Sequence, residues 1–116
     1  MTWSWREVAY HLRYNDTPAG LALVGLCEYI DARVIRTSIH GWASIAGLGI
    51  CQIPVWHDDA PHLWLTPAHD KVDFSYRDTT ILSRQWRRSE PVERVLERFR
   101  KTMIRLNWFT DRSVLE

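Results

Sequence analysis

Lys71-Val72-Asp73-Phe74-Ser75-Tyr76-Arg77 alternates without a break: Val72, Phe74 and Tyr76 fall on one side, Asp73, Ser75 and Arg77 on the other. That period of two belongs to a strand with one face in a core and one face away from it. Such a sheet has to be covered on its apolar side by other elements, so this short stretch sets what its neighbours must supply. Ile81 to Arg87 follows after Asp78-Thr79-Thr80. A three-residue loop there would set Tyr76 opposite Leu82 and Val72 opposite Trp86, joining four apolar groups on one face. The same register places Arg84 opposite Phe74, with its stem on the ring and its head reaching out.

Working upstream, His62 to Thr66 reads as a short strand ending at Pro67, and His57-Asp58-Asp59-Ala60-Pro61 as the loop before it. The β-branched Val34, Ile35, Thr37 and Ile39 predict a strand ahead of a turn at His40-Gly41. Ala43 to Ile53 is its hairpin partner, in which Gly47 and Gly49 signal a bulge or a close backbone approach. The span from Thr37 to Trp56 has no formally charged residue, histidine aside, but Gly41, Gly47, Gly49, Gln52 and Pro54 make it a poor membrane crossing. Two buried strands explain it better.

The ends of the chain read as helices. Ser4-Trp5-Arg6-Glu7 is a capping box that opens a helix with Trp5, Val8, Ala9 and Leu12 on one side. Thr17 and Pro18 supply the cap and first position of a second helix, apolar over most of its circumference. Ser89-Glu90-Pro91 has the form of a third start, followed by Val92, Val95, Leu96, Phe99, Met103 and Leu106 at helical spacing. The expected fold is therefore α+β: two N-terminal helices, an antiparallel sheet of about four to five strands, and a C-terminal helix packed on the same sheet. With 116 residues, 46% of them hydrophobic, the chain makes a single domain over residues 1–116 with one core.

Cys27 and Cys51 are too few for a disulfide framework, and no leader pattern opens the chain, so a cytoplasmic, reducing environment is expected. His57, His62 and His69 lie near Asp58, Asp59, Asp70 and Asp73, but their spacing fits no metal-site pattern, and neither metal nor cofactor is expected. Gly47-Leu48-Gly49 lacks the third glycine and the helix that a dinucleotide fingerprint needs. No serine or cysteine has a local partner that would activate it, so the chain reads as non-enzymatic. Seven tryptophans exceed what a small core easily absorbs, which points to one or two at a partner surface.

Charge is distributed unevenly although the net is only +1. Residues 57–78 hold five acids against two bases, a net of −3, and residues 84–105 hold eight bases against three acids, a net of +5. The acidic loops suggest a partner-binding surface of Trp56, Asp58, Asp59, Asp70 and Asp73, the ring as anchor and the acids speeding encounter with a basic protein. The alternative is a nucleic-acid-binding stripe of Arg94, Arg98, Lys101 and Arg105 along the last helix, neutralising phosphates. A third use, as an oligomerisation module, leaves monomer and dimer both open.

In layout the chain resembles small bacterial immunity proteins that neutralise contact-dependent or polymorphic toxins. The matching parts are the short opening helices, the strand run ending in Lys71-Val72-Asp73-Phe74-Ser75-Tyr76-Arg77-Asp78, the hairpin partner containing Trp86, and the closing helix from Val92 to Phe109. The resemblance implies a cytoplasmic, non-enzymatic protein that binds one toxin domain, often a nuclease, and blocks it.

Overall fold

The computed structural model describes residues 3–55 and 59–116. Helices α1 (Trp5–Leu12) and α2 (Pro18–Asp31) come first, then five strands, β1 (His40–Ser44), β2 (Gly47–Cys51), β3 (His62–Ala68), β4 (Lys71–Arg77) and β5 (Trp86–Pro91), and last α3 (Val95–Leu106). The strands form one antiparallel sheet in chain order, as expected of an α+β domain with helices at both ends of the sequence.

Local chemistry sets the helix starts. The Ser4 hydroxyl accepts the Glu7 N–H at 3.1 Å while the Glu7 carboxylate accepts the Ser4 N–H at 3.0 Å, closing the capping box. At α2 the Thr17 hydroxyl accepts the Gly20 N–H at 3.2 Å, and Pro18 occupies a position whose donor has no partner to lose. α3 ends at Asn107, which takes the left-handed conformation (φ 56°) common at helix C-termini.

All three helices pack on one face of the sheet. Trp5, Val8 and Leu12 of α1 and Leu23, Cys27 and Ile30 of α2 meet Leu48, Ile50, Leu63, Leu65, Val72 and Phe74, and α3 adds Val95, Phe99 and Met103. Two glycines permit this closeness. A Cβ on Gly41 would sit 2.6 Å from the Trp5 ring, so the indole lies directly on the β1 backbone while its N–H donates to the Ile39 carbonyl at 3.2 Å. A Cβ on Gly47 (φ 136°) would lie 2.1 Å from the Leu65 carbonyl oxygen, the close approach expected in this run.

Five expectations need correction, the first three of them in the first half of the sheet. Residues Val34–Thr37 form a 3-10 turn rather than a strand, held by Arg36 N–H to Arg33 and Ser38 N–H to Ile35; the chain leaves α2 too sharply for extended backbone, and tertiary position overrides β-branched propensity. The hairpin turn is accordingly at Ile45-Ala46, not His40-Gly41. β3 also runs on through Pro67, which lies beyond the last pairing with β2 at Leu48↔Leu65.

The β4–β5 register is Tyr76↔Trp86, Phe74↔Arg88 and Val72↔Glu90, four residues away from the one expected. The cause is Asp78, whose buried carboxylate accepts the N–H groups of Thr80 at 3.0 Å and Ile81 at 2.9 Å. This Asx-type turn starts a longer loop containing a 3-10 turn at Leu82–Arg84, so no three-residue hairpin forms. Because the slip is even, Trp86 keeps the face assigned to it. Ser89, Glu90 and Pro91 consequently belong to β5 rather than to a helix start, and α3 begins only at Val95. Glu90 then points inward, where its Oε1 accepts Nε–H donors from Arg88 at 2.6 Å and Arg98 at 3.1 Å.

Candidate partner-binding face

With helices on one side, alternation turns a second set of side chains to the helix-free face: His40 and Trp42 on β1, Gly49 and Cys51 on β2, His62, Trp64 and Thr66 on β3, Asp73, Ser75 and Arg77 on β4, and Arg87 and Ser89 on β5. Register arranges them in rows. Trp42↔Gly49↔Trp64↔Ser75↔Arg87 crosses all five strands, and His40↔Cys51↔His62↔Arg77 runs beside it.

Ser75 is a small residue between large ones. Directly opposite neighbours on adjacent strands sit about 5 Å apart, so the short hydroxymethyl leaves a trough between the Trp64 indole and the Arg87 guanidinium. His62, Trp64, Thr66, Ser75, Arg77 and Arg87 line a groove of about 440 Å3 there. Arg77 and Arg87 are exposed, and among the described residues neither has an ion pair. The groove therefore offers an aromatic face, two forked cationic donors and hydroxyls, a combination suited to burying an anchor side chain and holding a carboxylate or phosphate.

The five residues expected at a partner surface are placed as follows. Asp59 is exposed just before β3, and its carbonyl accepts the Thr79 hydroxyl at 2.8 Å. Asp70 is exposed in the two-residue turn at the far end of the β3–β4 hairpin, its carbonyl accepting the Val92 N–H at 3.2 Å. The seven-residue β3 separates these carboxylates by roughly 20 Å. Asp73, half-buried, stands on the helix-free face opposite Thr66 and Ser89. Trp56 and Asp58 lie outside the described residues. The acids thus rim the face at two ends rather than cluster.

The basic stripe is also divided. Arg98 is drawn in to Glu90, Lys101 pairs with Glu97 at 2.9 Å, Arg94 precedes the first turn of α3, and Arg105 turns toward a separate cleft. The Lys101 contact, with Arg94 and Arg98 nearby, holds the Glu97 carboxyl below its usual range. Of the four cations, two are committed to carboxylates within the domain.

Burial pushes the Cys27 thiol up to about 12, and Cys51, whose Sγ donates to the Ile53 carbonyl at 3.3 Å, is likewise raised by burial, so both are held protonated at neutral pH. Among the described residues no group of three His, Cys, Asp or Glu side chains is placed to hold a metal ion. Among the same residues no helix is long and apolar enough to cross a membrane.

The Trp64–Ser75–Arg87 row escapes sequence reasoning at one step. Alternation along residues 71–77 already turns Ser75 and Arg77 away from the core, but Arg87 joins them only through the four-residue shift that Asp78 imposes. Comparison with protein-family models, curated proteins and solved structures finds no match for the chain.

Proposed function

We propose that this chain is a non-enzymatic, protein-binding inhibitor of the immunity type, neutralising a bacterial toxin domain by tight complex formation on the helix-free face of its sheet. The observation that carries the reading is the Trp64–Ser75–Arg87 row with Arg77 beside it: tryptophan and arginine are the residue types that dominate binding energy at the centres of interfaces. Five strands about 4.8 Å apart and about 20 Å long give a face of roughly 500 Å2, somewhat over half of the ~800 Å2 that each partner contributes to a standard interface. Loops at both ends must complete it, and these carry Asp59 and Asp70. Acids at the rim and arginines at the centre suit a partner with a basic surround and an acidic anchor, the rim charges acting mainly on the rate of encounter.

The test uses the full chain as bait for the product of the reading frame beside its own gene and for native lysate. Wild type and Lys101→Glu should retain the same companion, and inhibition of that companion's toxicity should follow retention. Arg77→Glu/Arg87→Glu should lose both. A companion held equally well by the double variant removes the sheet face from the reading, and a retained companion whose activity is unaffected removes inhibition.

A further inference from the structure

A second concavity lies away from the helix-free face, between the loop after β4 and the last turn of α3, with a volume of about 730 Å3. Its loop wall is built in advance. Asp78, 3% exposed, ties down the Thr80 and Ile81 amides, and its own N–H donates to the Gln85 side-chain oxygen at 3.2 Å. Arg84 rises from the 3-10 turn on one side and Arg105 from α3 on the other. Both are exposed, and among the described residues neither has an ion pair. The Asp78 carboxylate also lines the cleft, but its Oδ1 is taken by two amides and its Oδ2 accepts the Tyr76 hydroxyl at 3.5 Å, so the two guanidinium groups leave the cleft net positive and suited to an anion.

The remaining walls call for more than an anion. Trp86 is half-buried with Tyr76 behind it, ring centroids 6.4 Å apart and planes 30° from parallel, and Trp108 meets Tyr76 edge-on at 6.2 Å. This supported aromatic wall favours a flat ring. The Gln85 amide, whose oxygen is already engaged, keeps its NH2 donors, and Asn107 at the end of α3 supplies a second amide. A cleft of this size accommodates a small organic ligand, and a lone phosphate or carboxylate would leave most of it filled with water. A flat heterocycle with polar edges, joined by a short arm to one strongly anionic group, matches all three kinds of wall.

We propose that this cleft binds a free nucleoside monophosphate, its base against Trp86 and its phosphate between Arg84 and Arg105. Gln52 and Pro61 of the β2–β3 connection also border the cleft, which shares only Gln85 with the groove on the helix-free face, so its arginines, Arg84 and Arg105, are distinct from Arg77 and Arg87 of the partner-binding reading.

Calorimetric titration of the full chain with AMP, GMP, CMP and UMP tests it. At least one should bind one-to-one with a Kd on the order of 10 μM, the affinity that about twenty non-hydrogen atoms reach at ordinary ligand efficiency. Arg84→Glu and Arg105→Glu should each weaken that binding by about tenfold or more, Trp86→Leu by a similar factor, and Lys71→Glu not at all. The arginines are on the surface, so their variants keep the test valid if Trp86→Leu does not fold; melting curves identify that case. Absence of saturable binding at about 1 mM of all four overturns the proposal. So does inorganic phosphate binding as tightly as any nucleotide, which would mean an unspecific anion site. Tight, steeply salt-dependent binding of single-stranded DNA with no mononucleotide binding would assign the cleft to a nucleic-acid surface instead.

Discussion

Arg98 on α3 and Arg88 on β5 share one acceptor, the Oε1 atom of Glu90, at 3.1 and 2.6 Å. This carboxylate, with 8% of its side chain exposed, joins the last helix to the edge strand. Removing a buried carboxylate leaves one guanidinium, Arg98, partly desolvated without a counter-charge. Glu90→Ala should therefore destabilise the domain by about 2 kcal/mol, a figure kept low because both arginines retain solvent contact. Lys101→Ala, which removes a solvent-exposed i, i+4 pair, should leave stability essentially unchanged. Urea denaturation of the two variants separates these outcomes.

Two glycines should respond in opposite directions to the same substitution. Gly47→Ala drives a methyl into the Leu65 carbonyl at a φ of 136° and should cost about 3 kcal/mol or prevent folding. Gly25→Ala, on the exposed face of α2 with nothing within 4 Å of the added carbon, should stabilise by about 0.5–1 kcal/mol. Thermal melts followed by circular dichroism report both.

His40 stands on β1 with its pKa lowered from the ordinary 6.5 by desolvation. A histidine whose folded pKa lies below its unfolded one binds fewer protons in the folded state within that window, so stability rises with pH there. Expected is a loss of stability as pH falls from about 7 through the folded pKa, with the histidine contribution constant below it. The slope should be smaller in His40→Gln. Denaturation midpoints measured from about pH 5 to 8 give the comparison.

Both thiols should resist alkylation in the native state. Cys27 is fully buried with its pKa pushed up to about 12, so iodoacetamide at pH 8 should modify it only on the timescale of unfolding. Cys51 is buried too and its thiol is also raised, but it lies at the end of the short strand β2 rather than inside a helix, so it should react slowly yet measurably sooner. Mass spectrometry of timed aliquots distinguishes the two, and rapid native labelling of Cys27 would contradict the packing of α2.

How much of this could be read from the residues alone follows from the range of the forces involved. Caps are local, and Ser4, Glu7, Thr17 and Pro18 announce α1 and α2 by chemistry within one helical turn. Alternation in β4 and helical spacing of Val95, Phe99 and Met103 likewise survive into the structure, because burial selects for them one element at a time. The β4–β5 register depended instead on Asp78 folding back on Thr80 and Ile81, and loops of three and of seven residues between opposed positions satisfy the same face pattern. From that one ambiguity came the misplaced start of α3, the unexpected burial of Glu90 and the unnoticed row ending at Arg87. Segment 34–37 failed differently: its β-branched residues favour a strand, but the segment closes into a 3-10 turn directly after α2, with Ile35 buried in the core, and local propensity yields to that tertiary placement.

β5 pairs on one side only, and the Val92 N–H bond to Asp70 fixes which of its amides point inward. By antiparallel alternation residues 86, 88 and 90 bond to β4, leaving Arg87 and Ser89 to turn their amides outward, while the next outward position is Pro91, which has no N–H. A stray strand could gain two donors there before its ladder stopped, and would meet arginine charge as it did so. The protein's longest bare edge is thereby a poor template for sheet-by-sheet stacking of copies, and this domain should remain dispersed at concentrations where a flat apolar edge would seed fibres.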